Sequence, residues 1–140
     1  MVLAGRRREG WTLNLVLDTS GSMIDDLSRV LGVIRSFCES AGVGAVRILQ
    51  CDEAVRSDET VSVDTLARYR IAGGSGSDLA PGMQALARDP EVEAAIVVTD
   101  GYVSWPQAPV PYAVLWAITG ALPDSFRPGY GHILLTPPGD

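Results

Sequence analysis

The sequence predicts an α/β domain built on a doubly wound, mostly parallel sheet, with one antiparallel edge strand and reduced helix cover on its C-terminal half. Three observations point there. Five apolar runs have the length of strands, roughly Thr12–Leu17, Val46–Cys51, Ala94–Thr99, Ala113–Ile118 and Ile133–Thr136. A long amphipathic segment separates the first two, and the later ones follow without close hairpins, which calls for parallel pairing. The runs Ile96-Val97-Val98 and Ile133-Leu134-Leu135 are continuous, as expected of strands covered on both faces.

Each element has its own signal. Ile24, Leu27, Val30, Leu31, Ile34, Phe37, Cys38 and Ala41 recur at spacings of three and four, an apolar helical stripe. Asp25 and Asp26 stand in its first turn, where the helix dipole favours acids, and Gly42 is placed to end it in the left-handed conformation. Ala54–Val61 is charged and two-sided and reads as the antiparallel edge strand, entered by a tight turn near Asp52-Glu53. Asp64–Arg68 suits a short helical turn. A second helix is expected over Leu79–Arg88, with Asp78 as N-cap and Pro90 beyond its end. The link from Thr99 to Ala113 is short and Pro-rich, so it leaves no helix to cover the C-terminal strands. Both faces of Ala113–Ile118 are apolar, which predicts an exposed apolar patch that another domain, another subunit or a partner would cover. His132 is expected to begin an edge strand.

The chain has 140 residues, 46% hydrophobic and 20% charged, enough for one domain over 1–140 with a core of about 11–136. Its net charge is −6, all 11 basic residues are Arg, and there is one histidine. Without lysine there is no Walker A loop, Schiff-base chemistry or lysine general base, and a single histidine excludes an H-E-x-x-H zinc site. The acidic balance speaks against nucleic acid and anionic membranes as partners. Cys38 and Cys51 fall in apolar periodic segments and read as buried free thiols. With no apolar run near 18 residues and no signal-peptide stretch after Arg6-Arg7-Arg8, a cytoplasmic location is expected.

Open parallel sheets bind ligands outside the carboxyl ends of their strands, where strand order reverses. Asp18-Thr19-Ser20-Gly21-Ser22-Met23 follows the first strand and Thr99-Asp100-Gly101 the third of the five. Gly73-Gly74-Ser75-Gly76-Ser77-Asp78 precedes the second helix. Singly, these read as a helix cap, an ordinary turn and a flexible loop. Together they bring Asp18, Ser20, Ser22, Ser77 and Asp100 to one crevice. Two carboxylates with no nearby lysine repel each other, and hard oxygens without Cys or His suit magnesium, with manganese or calcium as alternatives. Tyr102 and Trp105 leave the same crevice on a Pro-stiffened loop. Trp105 is either a recognition anchor or a lid folded back on the sheet.

Asp18-Thr19-Ser20-Gly21-Ser22 resembles the D-x-S-x-S signature of von Willebrand factor A (VWA) domains, whose metal-ion-dependent adhesion site (MIDAS) also uses a Gly-rich-loop hydroxyl, usually Thr, and a T-D-G aspartate. Ser77 and Asp100 fall on those positions. Thr99-Asp100-Gly101-Tyr102, Trp105-Pro106, Pro109, Pro111-Tyr112, Leu115-Trp116 and Cys51-Asp52 resemble more narrowly the VWA-like C-terminal domain of predicted bacterial metal-dependent peptidases. The resemblance covers about Trp11 to Leu135. It implies a Rossmann-like VWA fold, with Ser20, Ser22 and Ser77 as direct Mg2+ ligands. It implies Asp18 and Asp100 as direct or water-bridged ligands, and Asp78 as a cap. It also implies a metal-dependent module that binds an Asp or Glu of a partner protein. Ser77 in place of Thr and the lack of a zinc-binding histidine motif are departures, and the peptidase label does not transfer, so no catalytic residue is assigned. Relatives of VWA domains work beside MoxR-type AAA+ ATPases, which makes such an ATPase, a companion domain or a second copy of the chain the expected partner.

Two other functions compete. A metal-dependent hydrolase or phosphatase would use Asp18 as nucleophile, but Ser20 stands where haloacid-dehalogenase phosphatases place their second Asp, and the lysine they need is missing. A scaffold with a purely structural metal would lose stability on chelation without metal-dependent partner binding.

Overall fold

The computed structural model describes residues 11–20, 23–71 and 78–136. Its strands are β1 (Trp11–Asp18), β2 (Val43–Cys51), β3 (Val55–Ser62), β4 (Ala94–Thr99), β5 (Ala113–Thr119) and β6 (His132–Thr136), in sheet order β3-β2-β1-β4-β5-β6. All neighbours pair parallel except β2 and β3, which are antiparallel. The chain moves from β1 outward to β3, then returns to the other side of β1 with β4. Strand order therefore reverses between β1 and β4, where Leu15, Val16 and Leu17 pair with Ile96, Val97 and Val98.

Helix α1 (Ile24–Ala41) links β1 to β2 and stops at Gly42, whose φ of 77° is the left-handed conformation that glycine adopts without a Cβ clash. Residues Val63–Arg68 form a 3₁₀ turn, and α2 (Ala80–Ala87) precedes β4. Alternation along the strands sorts the core into two layers. Leu13, Leu15, Leu17 and Ile48 meet Leu27, Leu31, Ile34 and Leu66 on the α1 face. Val16, Leu49, Val97 and Trp116 meet Leu79, Met83, Leu86 and Phe126 on the α2 face. Gly82 lets α2 lie close to β2, since a Cβ there would come within 3.1 Å of Cys51 Cβ. Both cysteines are free and buried.

Two expectations are corrected. Ile133, Leu134 and Leu135 are not covered on both faces; they are 42%, 51% and 54% exposed, because β6 is an edge strand and no helix among the described residues lies over it. Phe37 belongs to the helical stripe in sequence but is half-exposed, because α1 lies over β1 and β2 and its flank faces a bare part of the sheet. That bare part is the apolar patch expected on the C-terminal strands, a groove of about 370 Å³ bordered by Val30, Val33, Phe37, Ile96, Leu115 and Leu134.

Candidate functional site

The carboxyl ends of β1 and β4 build the crevice. Asp18, the last residue of β1, is buried. Its Oδ1 accepts hydrogen bonds from the Ser20 backbone N–H (2.9 Å) and the Ser20 hydroxyl (2.6 Å). Its Oδ2 accepts one from the Thr99 hydroxyl at 2.7 Å, across the switch point. Thr99 Oγ1 in turn accepts the Gly101 N–H at 3.0 Å, so one chain of bonds runs from the loop after β4 to the carboxylate at the end of β1. Asp100 turns back on its own loop, its Oδ1 accepting the Tyr102 N–H at 3.0 Å.

Burial pushes the Asp18 carboxyl above its ordinary value, and the charge of Asp100 adds to this; the Ser20 and Thr99 hydrogen bonds pull the other way without overcoming it. Among the described residues no ion pair involves Asp18. A buried carboxylate with a second carboxylate's charge upon it and no cationic partner among the described residues is chemistry that a hard divalent cation fits. A hydroxyl that gives its hydrogen to a carboxylate, as Ser20 does, still has lone pairs to offer a cation. Among the described residues no group of three or more His, Cys, Asp or Glu is placed to hold a metal, so the candidate seat is one of two aspartates and hydroxyls.

Of the five expected ligands, Asp18, Ser20 and Asp100 meet at this crevice. Ser22 and Ser77 lie outside the described residues, as do Gly73–Gly76 of the Gly-rich run. The two ends of that run are nevertheless anchored here. On its entry side, Gln50 at the end of β2 donates to Tyr69 Oη (2.8 Å) and to the Arg70 carbonyl (3.0 Å). On its exit side the Asp78 N–H donates to the Asp52 carbonyl (2.6 Å) and the Leu79 N–H to the Ser104 carbonyl (2.9 Å). Leu79, not Asp78, is the N-cap of α2; Asp78 precedes it and supports the first turn, its Oδ1 accepting the Ala80 N–H at 2.9 Å.

Sequence reasoning missed Thr99, Gln50 and Asp52 as supports. Asp52 is buried, and its Oδ1 takes the Glu53 and Ala54 N–H groups and Arg56 Nε. Burial alone would raise its pKa, but those donors hold it below the ordinary carboxylate value. The signal available in sequence was position: polar residues ending otherwise apolar strands. Cys51 offers no nucleophile, since burial pushes its thiol up to about 11.

Tyr102 and Trp105 stand on the loop that leaves Asp100. Tyr102 is 67% exposed. Trp105 packs edge-to-face on Phe126, with ring centroids 4.8 Å apart, so one side of it is committed to the fold.

These features define a doubly wound α/β domain with a polar crevice at its topological switch point. The chain matches the family model described as VWA-like domain (DUF2201) over residues 13–136, and it belongs to that family. None of the curated proteins matches it. No helix among the described residues is long and apolar enough to cross a membrane.

Proposed function

We propose that this domain is a metal-dependent protein-binding module rather than a catalyst, with a MIDAS-type seat for Mg2+, or for Mn2+ or Ca2+ in its place. In this reading the hydroxyls of Ser20, Ser22 and Ser77 hold the cation directly. Asp100 holds it directly or through water. Asp18, whose two oxygens already receive three protein donors, acts through water and keeps Ser20 in place. Bound there, the cation supplies an electrophilic centre for an Asp or Glu of a partner protein, and few anionic ligands leave it that appetite. Tyr102 and the outer side of Trp105 flank the approach. The narrower likeness to the VWA-like domain of predicted metal-dependent peptidases agrees with this reading, without carrying any peptidase activity to this chain.

The observation that supports it best is the buried Asp18–Ser20–Thr99 cluster beside Asp100, with no cationic side chain paired to Asp18 among the described residues. Magnesium titration followed by calorimetry and amide NMR tests it. Wild type should show saturable binding with shifts at Ser20 and Asp100, and Asp18→Ala should weaken it at least tenfold. Indistinguishable titrations would sink the seat.

A further inference from the structure

The two edges of the sheet are finished differently. β3 carries Arg56, Asp58 and Glu59, and Asp58 is fastened to Arg47 by bonds of 3.0 and 2.9 Å. Charges along an edge keep another strand from adding to it. β6, the opposite edge, carries no Asp, Glu, Lys or Arg, and its three consecutive apolar residues, Ile133, Leu134 and Leu135, are each about half in solvent. No strand among the described residues pairs with its outer side. The strand is nevertheless firmly held at its entry. Trp116 Nε1 donates to the Tyr130 carbonyl at 2.9 Å and Tyr130 Oη to the Pro106 carbonyl at 2.7 Å. Gly131, at φ +79°, has no room for a Cβ, which would lie 2.7 Å from Trp116 Nε1.

Two properties of this edge select its occupant. The first is charge. Residues 101–139 hold one acid, Asp124, and one base, Arg127, so the chain's net −6 lies entirely outside them. A second copy is repelled by the acidic remainder of the surface but meets no net charge here. The second is register. Pairing with β5 puts Leu134 beside Ala117 on the α1 face, and Ile133 and Leu135 beside Trp116 and Ile118 on the α2 face. An antiparallel β6 pair with a two-fold axis at Leu134 sets Leu134 against its own copy on one face. On the other face it sets Ile133 against Leu135 twice. Each of these apolar side chains then meets another, which is the self-complementarity that a two-fold interface requires. Three side chains and the paired backbone bury about 400 Å² per copy, about half of a standard interface, so the association is weak.

We infer that β6 is a self-association edge: two copies of this chain join through antiparallel β6 strands centred on Leu134, forming one continuous sheet. The two switch-point crevices then open in opposite directions, and neither is covered. The pairing does not depend on the metal seat.

Sedimentation of the full chain in chelator tests it. Wild type should pass from monomer to dimer with a dissociation constant on the order of 100 µM. Leu134→Glu and Leu134→Lys each put like charges across the axis and should weaken the dimer at least about tenfold. Mixed in equal amounts, the two variants should dimerise about as tightly as wild type, a rescue that altered folding cannot produce. Leu134 is half in solvent, so both variants should fold; Ile133→Lys mixed with Leu135→Glu repeats the test on the other face. A wild type that stays monomeric at about 1 mM overturns the inference. So does a Leu134→Glu dimer as tight as wild type, or a set of mixtures that stay monomeric.

Discussion

The two halves of the sheet are treated differently on the α1 face. Over β1 and β2, α1 and the 3₁₀ turn close the layer so well that Leu31 is 3% exposed and Leu66 1%. Over β5 and β6 no described element covers the same face, and Leu134, as apolar as either, is half in solvent. β5 shows the contrast within one strand: Trp116 is enclosed among Phe126, Tyr130 and its layer, while Leu115, one residue earlier and on the opposite face, lines the groove. An apolar side chain therefore contributes stability here according to which element happens to cover it, because the gain scales with area removed from water.

Paired truncations are the strongest way to break that comparison. Trp116→Ala and Leu31→Ala should each cost about 3–4 kcal/mol in urea denaturation, whereas Leu115→Ala and Phe37→Ala should cost about 1 kcal/mol or less. Equal losses within the two pairs would show that something covers the groove in solution.

Asp18 sits on the seam between the halves, tied to Thr99 across it. Burial raises its folded pKa, so at neutral pH the ionised form opposes the metal-free fold. The cost is absent below the ordinary carboxyl value and grows as pH rises through the raised one. In chelator, Asp18→Asn should raise the melting temperature at pH 7 by about 3 °C and leave it unchanged near pH 3. A destabilised Asp18→Asn at pH 7 would mean that the Ser20 and Thr99 hydrogen bonds outweigh burial.

The smallest expected effect belongs to the groove itself. Leu134→Ser should change stability by no more than about 0.5 kcal/mol while lowering the binding of an apolar dye. Unchanged dye binding would move the exposed apolar surface elsewhere.

Much of this architecture was legible in advance. The strand runs, the α1 stripe, the Gly42 stop and the charged edge strand β3 are local patterns, and local chemistry decides them. That Asp18, Ser20 and Asp100 would gather at one crevice was legible too, because these residues follow apolar runs at the carboxyl ends of neighbouring strands. Thr99 was harder, since its hydroxyl matters only once β4 lies beside β1. Phe37 and Ile133–Leu135 were misread because periodicity reports which side of an element is apolar, not whether anything packs on that side.

By itself the sequence determined the elements, their apolar faces and the carboxylates that end two strands, because propensity and alternation act within a few residues. Tertiary structure alone decided that β1 and β4 are neighbours, that Thr99 and Ser20 share the Asp18 carboxylate, and that one lane of the sheet stays open among the described residues. Those outcomes depend on contacts between residues about 80 positions apart, such as the |i−j| of 81 for Thr99 and Asp18, and on where a finite number of helices can pack.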